Sequence, residues 1–175
     1  GNADVRNGTL SAALFQIAAG TLDNRGGSLL SLGNQGSMLR AGMLDNSAGG
    51  TVAGNGELTV SATTLDNSKG LLQQAGNGAL RVHADTLRGS EGRLLSNGDL
   101  SLTGGQLDVS GGTTSAQSVR IQADGLRNAG GQIVLEAEPA QVQAAQVLAV
   151  EPAVVVIAST TRRARCSRLV ARARP

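Results

Sequence analysis

Acidic side chains recur in this sequence at nearly constant spacing. An Asp follows the leucine of a repeated Leu-Asp-Asn signature, and the equivalent positions along the chain are Asp23, Asp45, Asp66, Arg88, Asp108 and Arg127. If these positions stack, the carboxylates offer oxygen ligands for Ca²⁺, or acid and base groups of the kind that cleave polysaccharides. The alternative is that each Asp accepts hydrogen bonds from the backbone of its own turn. Repetition favours the turn role, because a catalytic site is a local departure from a repeat.

The other candidates for chemistry are few. His83 is the only histidine, and period-two alternation places it in an outward column with Ser61, Thr103 and Gln122. We interpret it as an exposed strand residue, since no second His or Cys lies at metal-ligand spacing and no Ser-His-Asp set can be assembled. The Gly-rich turns lack the Gly-Lys-Ser/Thr and the helix of a phosphate loop. We therefore predict no enzyme activity, no catalytic or metal-binding residues, and no cofactor.

The composition argues against nucleic-acid binding by most of the chain. Phe15 is the only aromatic residue in 175, which is too few to build a platform for stacking bases. Six of the 15 basic residues lie in the last 14 positions, so residues 1–161 carry 9 basic against 13 acidic groups. This excess of acidic groups removes the electrostatic attraction that a nucleic acid requires. The 40% apolar content disfavours disorder, and the 25 glycines disfavour long helices.

A repeat of about 21 residues organises the chain. The signature continues with one or two small or polar residues and usually Gly-Gly, and its leucines are Leu22, Leu44, Leu65, Leu87, Leu107 and Leu126. Small or apolar residues recur three, five and seven positions before each leucine, which is typical of a half-buried strand. Only Ser37 interrupts the column at seven, and we expect the neighbouring Met38 to compensate. A second short strand follows the glycines, with an inward column of Leu29, Val52, Leu72, Leu94, Thr114 and Ile133.

A unit of this kind cannot bury its apolar face alone, whereas stacked units form a continuous core. We therefore predict an all-β fold, a parallel β-helix solenoid of about seven rungs spaced by ~4.8 Å. Glycines are expected at corners that need a positive φ or a close backbone approach, and the Asn residues can form a hydrogen-bonded ladder between rungs. A leucine-rich repeat is the alternative at this period, but no ten-residue helical stretch separates the strands.

The repeats resemble those of filamentous haemagglutinin-type exoproteins over about residues 8–135, as in LDNSAGGTVAGNGELTVSA (44–62) and LDNSKGLLQQAGNGALRVHA (65–84). Those exoproteins are long secreted adhesins and contact-dependent growth inhibition proteins of Gram-negative bacteria. The resemblance implies an adhesive or structural stalk at the bacterial surface, with a role in virulence. It also implies two-partner secretion through an outer-membrane transporter, and contacts with glycans or proteins of host or neighbouring cells. We expect the family's secretion domain and any toxin to lie outside this segment. The competing interpretation is a β-helical lyase or glycosidase.

The end of the sequence has a different composition. We assign residues 1–147 to the β-helix and residues 148–175 to a tail that is rich first in Ala and Val and then in Arg. Cys166 is the only cysteine and cannot form an intrachain disulfide. We predict that the tail is disordered or translated out of frame, with an anionic-lipid or nucleic-acid patch as alternatives. Because a stack cut between rungs exposes strand edges, residues 1–147 alone are expected to associate end to end.

Overall fold

The computed structural model describes residues 1–135, 141–148 and 154–157, and the surroundings of side chains in residues 1–135. Two parallel sheets of eight strands each contain all the strands of these ranges. The first sheet contains β1 (Asn2–Asp4), β3 (Gln16–Asp23), β5 (Ser37–Asp45), β7 (Leu58–Asp66), β9 (Leu80–Arg88), β11 (Asp99–Asp108), β13 (Ser118–Arg127) and β15 (Gln141–Leu148). The second contains β2 (Thr9–Ala12), β4 (Ser28–Ser31), β6 (Thr51–Gly54), β8 (Leu71–Gln74), β10 (Arg93–Ser96), β12 (Thr113–Ala116), β14 (Gln132–Leu135) and β16 (Val154–Ile157). The described ranges contain no helix, and so none that is long and apolar enough to cross a membrane.

The chain alternates between the two sheets, so each rung consists of one long and one short strand. β7 pairs with β5 and β9, and β8 pairs with β6 and β10, in every case in parallel. The register joins equivalent positions of successive repeats, as in Leu44, Leu65 and Leu87. The predicted parallel β-helix of about seven rungs is confirmed.

The predicted inward columns form one continuous hydrophobic core. Leu44, Leu65 and Leu87 are at most 1% exposed, and burial of each such side chain contributes about 1.5–3 kcal/mol. At the first rung the same columns are covered on one side only. Leu10 is therefore 41% exposed, although Leu29 directly above it is fully buried.

Ser37 itself occupies the inward position in its rung, although the neighbouring Met38 was expected to compensate for it. The Ser37 side chain is 3% exposed, while Met38 is only half-buried. The Ser37 hydroxyl donates a hydrogen bond to Ser31 Oγ at 2.7 Å and accepts one from the Phe15 amide at 3.1 Å. A polar residue is tolerated in the core here because its hydrogen-bonding groups are paired, so the expected role of Met38 was wrong.

The long strands bend at one fixed point, which the period-two pattern did not predict. In β7 the buried residues are Leu58, Val60 and Ala62, but the next is Leu65, three positions later. The residue-by-residue pairing of β7 with its neighbours skips Thr63 and resumes at Thr64. The extra residue turns the strand around a corner and restores the inward direction of the leucine that follows.

The structure describes only part of the predicted tail. β15, at the end of the segment 1–147 that was assigned to the β-helix, pairs with β13, and β16 lies within residues 148–175 and pairs with β14. The Arg-rich segment 162–175, including Cys166, lies outside the described residues.

Candidate functional site

The aspartates of the signature lie at the ends of the long strands, where they bind the turn that follows. One carboxylate oxygen of Asp45, Asp66 or Asp108 accepts the amide hydrogen of the serine two residues later, at 2.9–3.0 Å. Asp23 does the same with the amide of Arg25, at 3.2 Å. The predicted turn role of these side chains is confirmed. The carboxylates are thereby oriented along the chain rather than gathered around a common point.

Two arginines in the first rungs bridge successive aspartates of this column. Arg6 contacts Asp4 at 2.6 Å and Asp23 at 3.5 Å, and Arg25 contacts Asp23 at 2.6 Å and Asp45 at 3.6 Å. Hydrogen bonds from the Arg6 side chain and backbone lower the pKa of Asp4 from 3.8 to about 2. The side-chain hydrogen bonds from Arg25 likewise lower the pKa of Asp23. The arginine side chains of these ion pairs are 47–50% exposed, and ion pairs open to solvent balance charge more than they stabilise a fold.

Further along the column the arginines occupy the Asp position itself. The register places Arg88 between Asp66 and Asp108, as the stacked column predicts. Across residues 1–135 no three His, Cys, Asp or Glu side chains are close enough together to hold a metal ion. The prediction that this segment has no catalytic or ligand-binding residues stays a prediction.

The asparagines next to these aspartates point inward and form the predicted ladder. Asn24 Nδ2 donates to Asn46 Oδ1, and Asn46 Nδ2 donates to Asn67 Oδ1, both at 2.7 Å. The second hydrogen of each amide binds a backbone carbonyl oxygen, that of Thr51 at 3.0 Å and that of Leu71 at 3.1 Å. The three side chains are at most 1% exposed. The ladder therefore ties the turns of three successive rungs together in a buried, low-dielectric setting, where hydrogen bonds are strong.

Two amide oxygens of the asparagine column lack a donor, one at the first end of the ladder and one on an asparagine outside it. Within residues 1–135, Asn24 Oδ1 and Asn128 Oδ1 are the buried side-chain atoms without a hydrogen-bond partner. In the rung below each of them the equivalent residue is a valine, Val5 or Val109, which has no side-chain donor. Asn128 Nδ2 makes only a long contact of 3.4 Å to the Gly131 carbonyl oxygen. Asn128 is therefore an isolated member of the column.

The two glycines of the signature meet different physical demands. The first has a positive φ, as at Gly26 (62°) and Gly111 (65°), but Lys69 and Glu91 adopt the same conformation in other rungs. The second allows no side chain: a Cβ at Gly27 or Gly70 would lie 2.6 Å from the amide oxygen of the Asn three positions earlier. It would also overlap a backbone carbonyl oxygen of the preceding rung. The second glycine is therefore required by the close approach of stacked turns.

His83 lies where the alternation predicted, on the outer surface between Ser61 and Thr103. Its Nδ1 atom is 3.0 Å from Thr103 Oγ1, and its Nε2 atom is 3.9 Å from a carboxylate oxygen of Asp85. The imidazole is 57% exposed, so it has no enclosed surroundings. The prediction of an exposed strand residue is confirmed.

Sequence reasoning did not identify the shallow depression that lies beside His83. It follows the bend of the long strands, has a volume of about 360 Å³, and has the alanines of the small-residue column in its floor. Arg40, Ser61 and Asp85 also border it. The run of small residues three positions before each leucine was the available signal, because small side chains beside a bend leave space at the surface. The depression is wide and shallow, unlike the enclosed pockets that bind small molecules.

Comparison with known families connects these features to one repeat type. The family model described as the haemagglutinin repeat matches residues 1–37, 17–104 and 75–161, which together span most of the chain. No curated protein and no solved structure matches the chain.

Proposed function

Because this chain belongs to the haemagglutinin repeat family, we propose that it is a stalk segment of a large secreted adhesin or contact-dependent inhibition protein. In this role the segment holds binding or toxic modules away from the bacterial surface. The observation that carries the proposal is the uniformity of the stack. The leucine column is unbroken from Leu22 to Leu126 and the parallel register continues from rung to rung, so each repeat adds length in the same way.

The sides of the rod support a secondary role in adhesion. Outward strand positions carry mainly polar side chains, such as Thr59, Ser61, Arg81 and Arg120, and these offer weak contacts spread over a large area. Glycans or proteins on host or neighbouring cells are the proposed partners. The proposed route to the surface is two-partner secretion through an outer-membrane transporter. We propose no nucleic-acid partner.

Deleting one repeat and then duplicating another tests the stalk role. Deletion of residues 45–65 removes one repeat and joins Leu44 to Asp66, which is the register equivalent of Asp45. The rod should stay folded and shorten by about 4.8 Å, because Asn24 can then donate to Asn67. Duplicating residues 66–87 in the deleted chain restores the original number of rungs.

The rod is anchored to a surface that carries a polymer layer of fixed thickness, and a reporter module is fused to its free end. The readout is whether the module extends beyond the layer. Engagement of the module with its soluble receptor should fall with the deletion and recover fully with the duplication. Loss of engagement that the duplication does not restore would show that a particular rung carries the function, and would contradict the stalk role.

Two further assays separate the alternatives. Direct binding of the purified rod to cells or to a glycan array supports the adhesive contribution, whereas a rod that binds neither acts as a spacer only. If the chain were instead a β-helical lyase or glycosidase, it should turn over acidic, pectin-like polysaccharides with added Ca²⁺. Turnover that is lost when a signature Asp is changed to Asn would replace the stalk proposal by an enzymatic one.

A further inference from the structure

Four Asn-Gly pairs lie in the turns of the chain, and they differ in how the structure holds them. The pairs begin at Asn7, Asn55, Asn77 and Asn97, and all four asparagines are exposed. Asn-Gly is the dipeptide in which the backbone nitrogen of the glycine reaches the side-chain amide carbon most easily, because glycine lacks a hindering Cβ. Reaction requires that this nitrogen loses its proton and that the side chain turns towards it. Hydrogen bonds to either group oppose the reaction.

Three of the four pairs are restrained in this way. Asn55 Nδ2 donates to the Leu32 carbonyl oxygen at 3.0 Å, and Asn97 Nδ2 donates to the Ala75 carbonyl oxygen at 2.5 Å. Both bonds run to the preceding rung. The glycine amide after Asn97 also donates to Ser96 Oγ at 3.2 Å. In the pair that begins at Asn7, the glycine amide donates to the Val5 carbonyl oxygen at 2.9 Å.

Asn77 has no such restraining hydrogen bond, because the turn that contains it is longer. Leu80 follows Gln74 by six positions, whereas Leu58 follows Gly54 by four. The register position of Asn55 and Asn97 is therefore taken by Ala75, and the Asn-Gly pair is displaced two residues along the chain. Within residues 1–135, neither the Asn77 side chain nor the Gly78 amide makes a hydrogen bond.

We propose that Asn77 is a site of spontaneous deamidation in the folded protein. The deprotonated Gly78 nitrogen attacks Asn77 Cγ and forms a new N–Cγ bond, the Cγ–Nδ2 bond breaks, and ammonia leaves with the proton. The resulting five-membered succinimide adds one water molecule at either carbonyl and opens to Asp or isoAsp. The net reaction exchanges an amide and water for a carboxylic acid and ammonia, with no change of oxidation state.

The modification adds a negative charge to one corner of the rod and leaves the stack intact. Asn77 makes no bond to another rung, so its conversion removes no contact that holds the solenoid together. Deamidation of Asn55 or Asn97 would instead remove a side-chain bond to the rung below. The long turn therefore favours this chemistry at a place where no side-chain bond between rungs is lost.

Peptide mapping tests the proposal, because trypsin places each Asn-Gly pair in a different peptide, with residues 7–25, 41–69, 70–81 and 94–120. The full chain is incubated at mildly alkaline pH, and each pair is followed by the mass increase of about 1 Da that accompanies deamidation. Because Asn77 lacks the restraining hydrogen bonds, we expect it to react about two- to tenfold faster than Asn55 and Asn97 in the folded chain. In urea, where these bonds are absent, the four rates should converge. Equal or faster reaction at Asn55 or Asn97 in the folded chain would overturn the proposal.

Two variants test which residue gives the mass increase and whether hydrogen bonds slow the reaction. Asn77→Gln should abolish the mass increase in peptide 70–81, because the longer side chain disfavours the five-membered ring, and a persisting increase would place the reaction elsewhere. Ser96→Ala frees the Gly98 amide and should raise the Asn97 rate about two- to tenfold while the Asn77 rate stays unchanged. An unchanged Asn97 rate would refute protection by hydrogen bonding.

Discussion

The Asn ladder makes a quantitative prediction for Asn46→Ala. Asn46 is fully buried, donates two hydrogen bonds and accepts one. Removing its side chain leaves Asn67 Oδ1 without a donor and one hydrogen of Asn24 Nδ2 without an acceptor. Each buried polar group that loses its partner costs about 1–3 kcal/mol. We therefore expect the free energy of unfolding to fall by about 4 kcal/mol.

Asn128→Ala is the matched control, because it removes the same side chain from the same column. Asn128 makes one contact of 3.4 Å and its oxygen already lacks a partner, so the expected loss is about 1 kcal/mol. Equilibrium urea unfolding followed by circular dichroism measures both values, with an unchanged slope as the test that the same surface unfolds. Because rungs of a repeat protein can unfold separately, hydrogen exchange in β6 and β8 adds a local readout. Equal losses in the two variants would refute the reasoning.

Three further predictions follow from the turns. Val5→Asn should stabilise the chain by about 1 kcal/mol in urea unfolding by supplying a donor to the free oxygen at the end of the ladder; Val5→Leu should give no such gain. Gly70→Ala should cost about 3 kcal/mol, since its Cβ would overlap a backbone carbonyl of the preceding rung. Gly130→Ala, with a φ of 66° and open space around it, should cost only about 1 kcal/mol, and equal costs would contradict the steric argument. Because the pKa of Asp4 is lowered from 3.8 to about 2, its contribution to stability is present above pH 3.8 and is lost as the pH falls through 2. Arg6→Gln should raise this pKa part of the way towards 3.8 in an NMR titration, because the backbone hydrogen bond from residue 6 remains, and an unchanged value would exclude the Arg6 side chain as a cause.

Much of the fold could be predicted because a repeat shows the same physical requirement several times. A single Leu-Asp-Asn carries little information, but three exact and three degenerate copies, each with apolar residues at fixed offsets, leave few structures that bury them all. The stacking of equivalent positions then follows, and with it the Asn ladder and the outward position of His83. The turn role of Asp45 and Asp66 was predictable for the same reason, since it depends only on residues two positions away.

Other features depend on distances between rungs, which no offset along the chain specifies. Alternation alone gives no bend at Thr63, although the three-residue offset between the small residue and the leucine marks its place in the sequence. Ser37 remains in the core because Ser31 and the Phe15 amide happen to lie within hydrogen-bonding distance. The depression beside Arg40 exists because that bend and a column of alanines coincide at the surface.

The sequence by itself determined the repeat length, the identity of the core columns and the stacking of like residues on like. These follow from the need of a short, apolar-faced unit to be covered by its neighbours. Tertiary structure alone decided which glycine is indispensable, where the ladder ends, and which Asn-Gly pair is unrestrained. Each of those depends on contacts of about 3 Å between residues some 20 positions apart, and such contacts are defined only once the rungs are stacked.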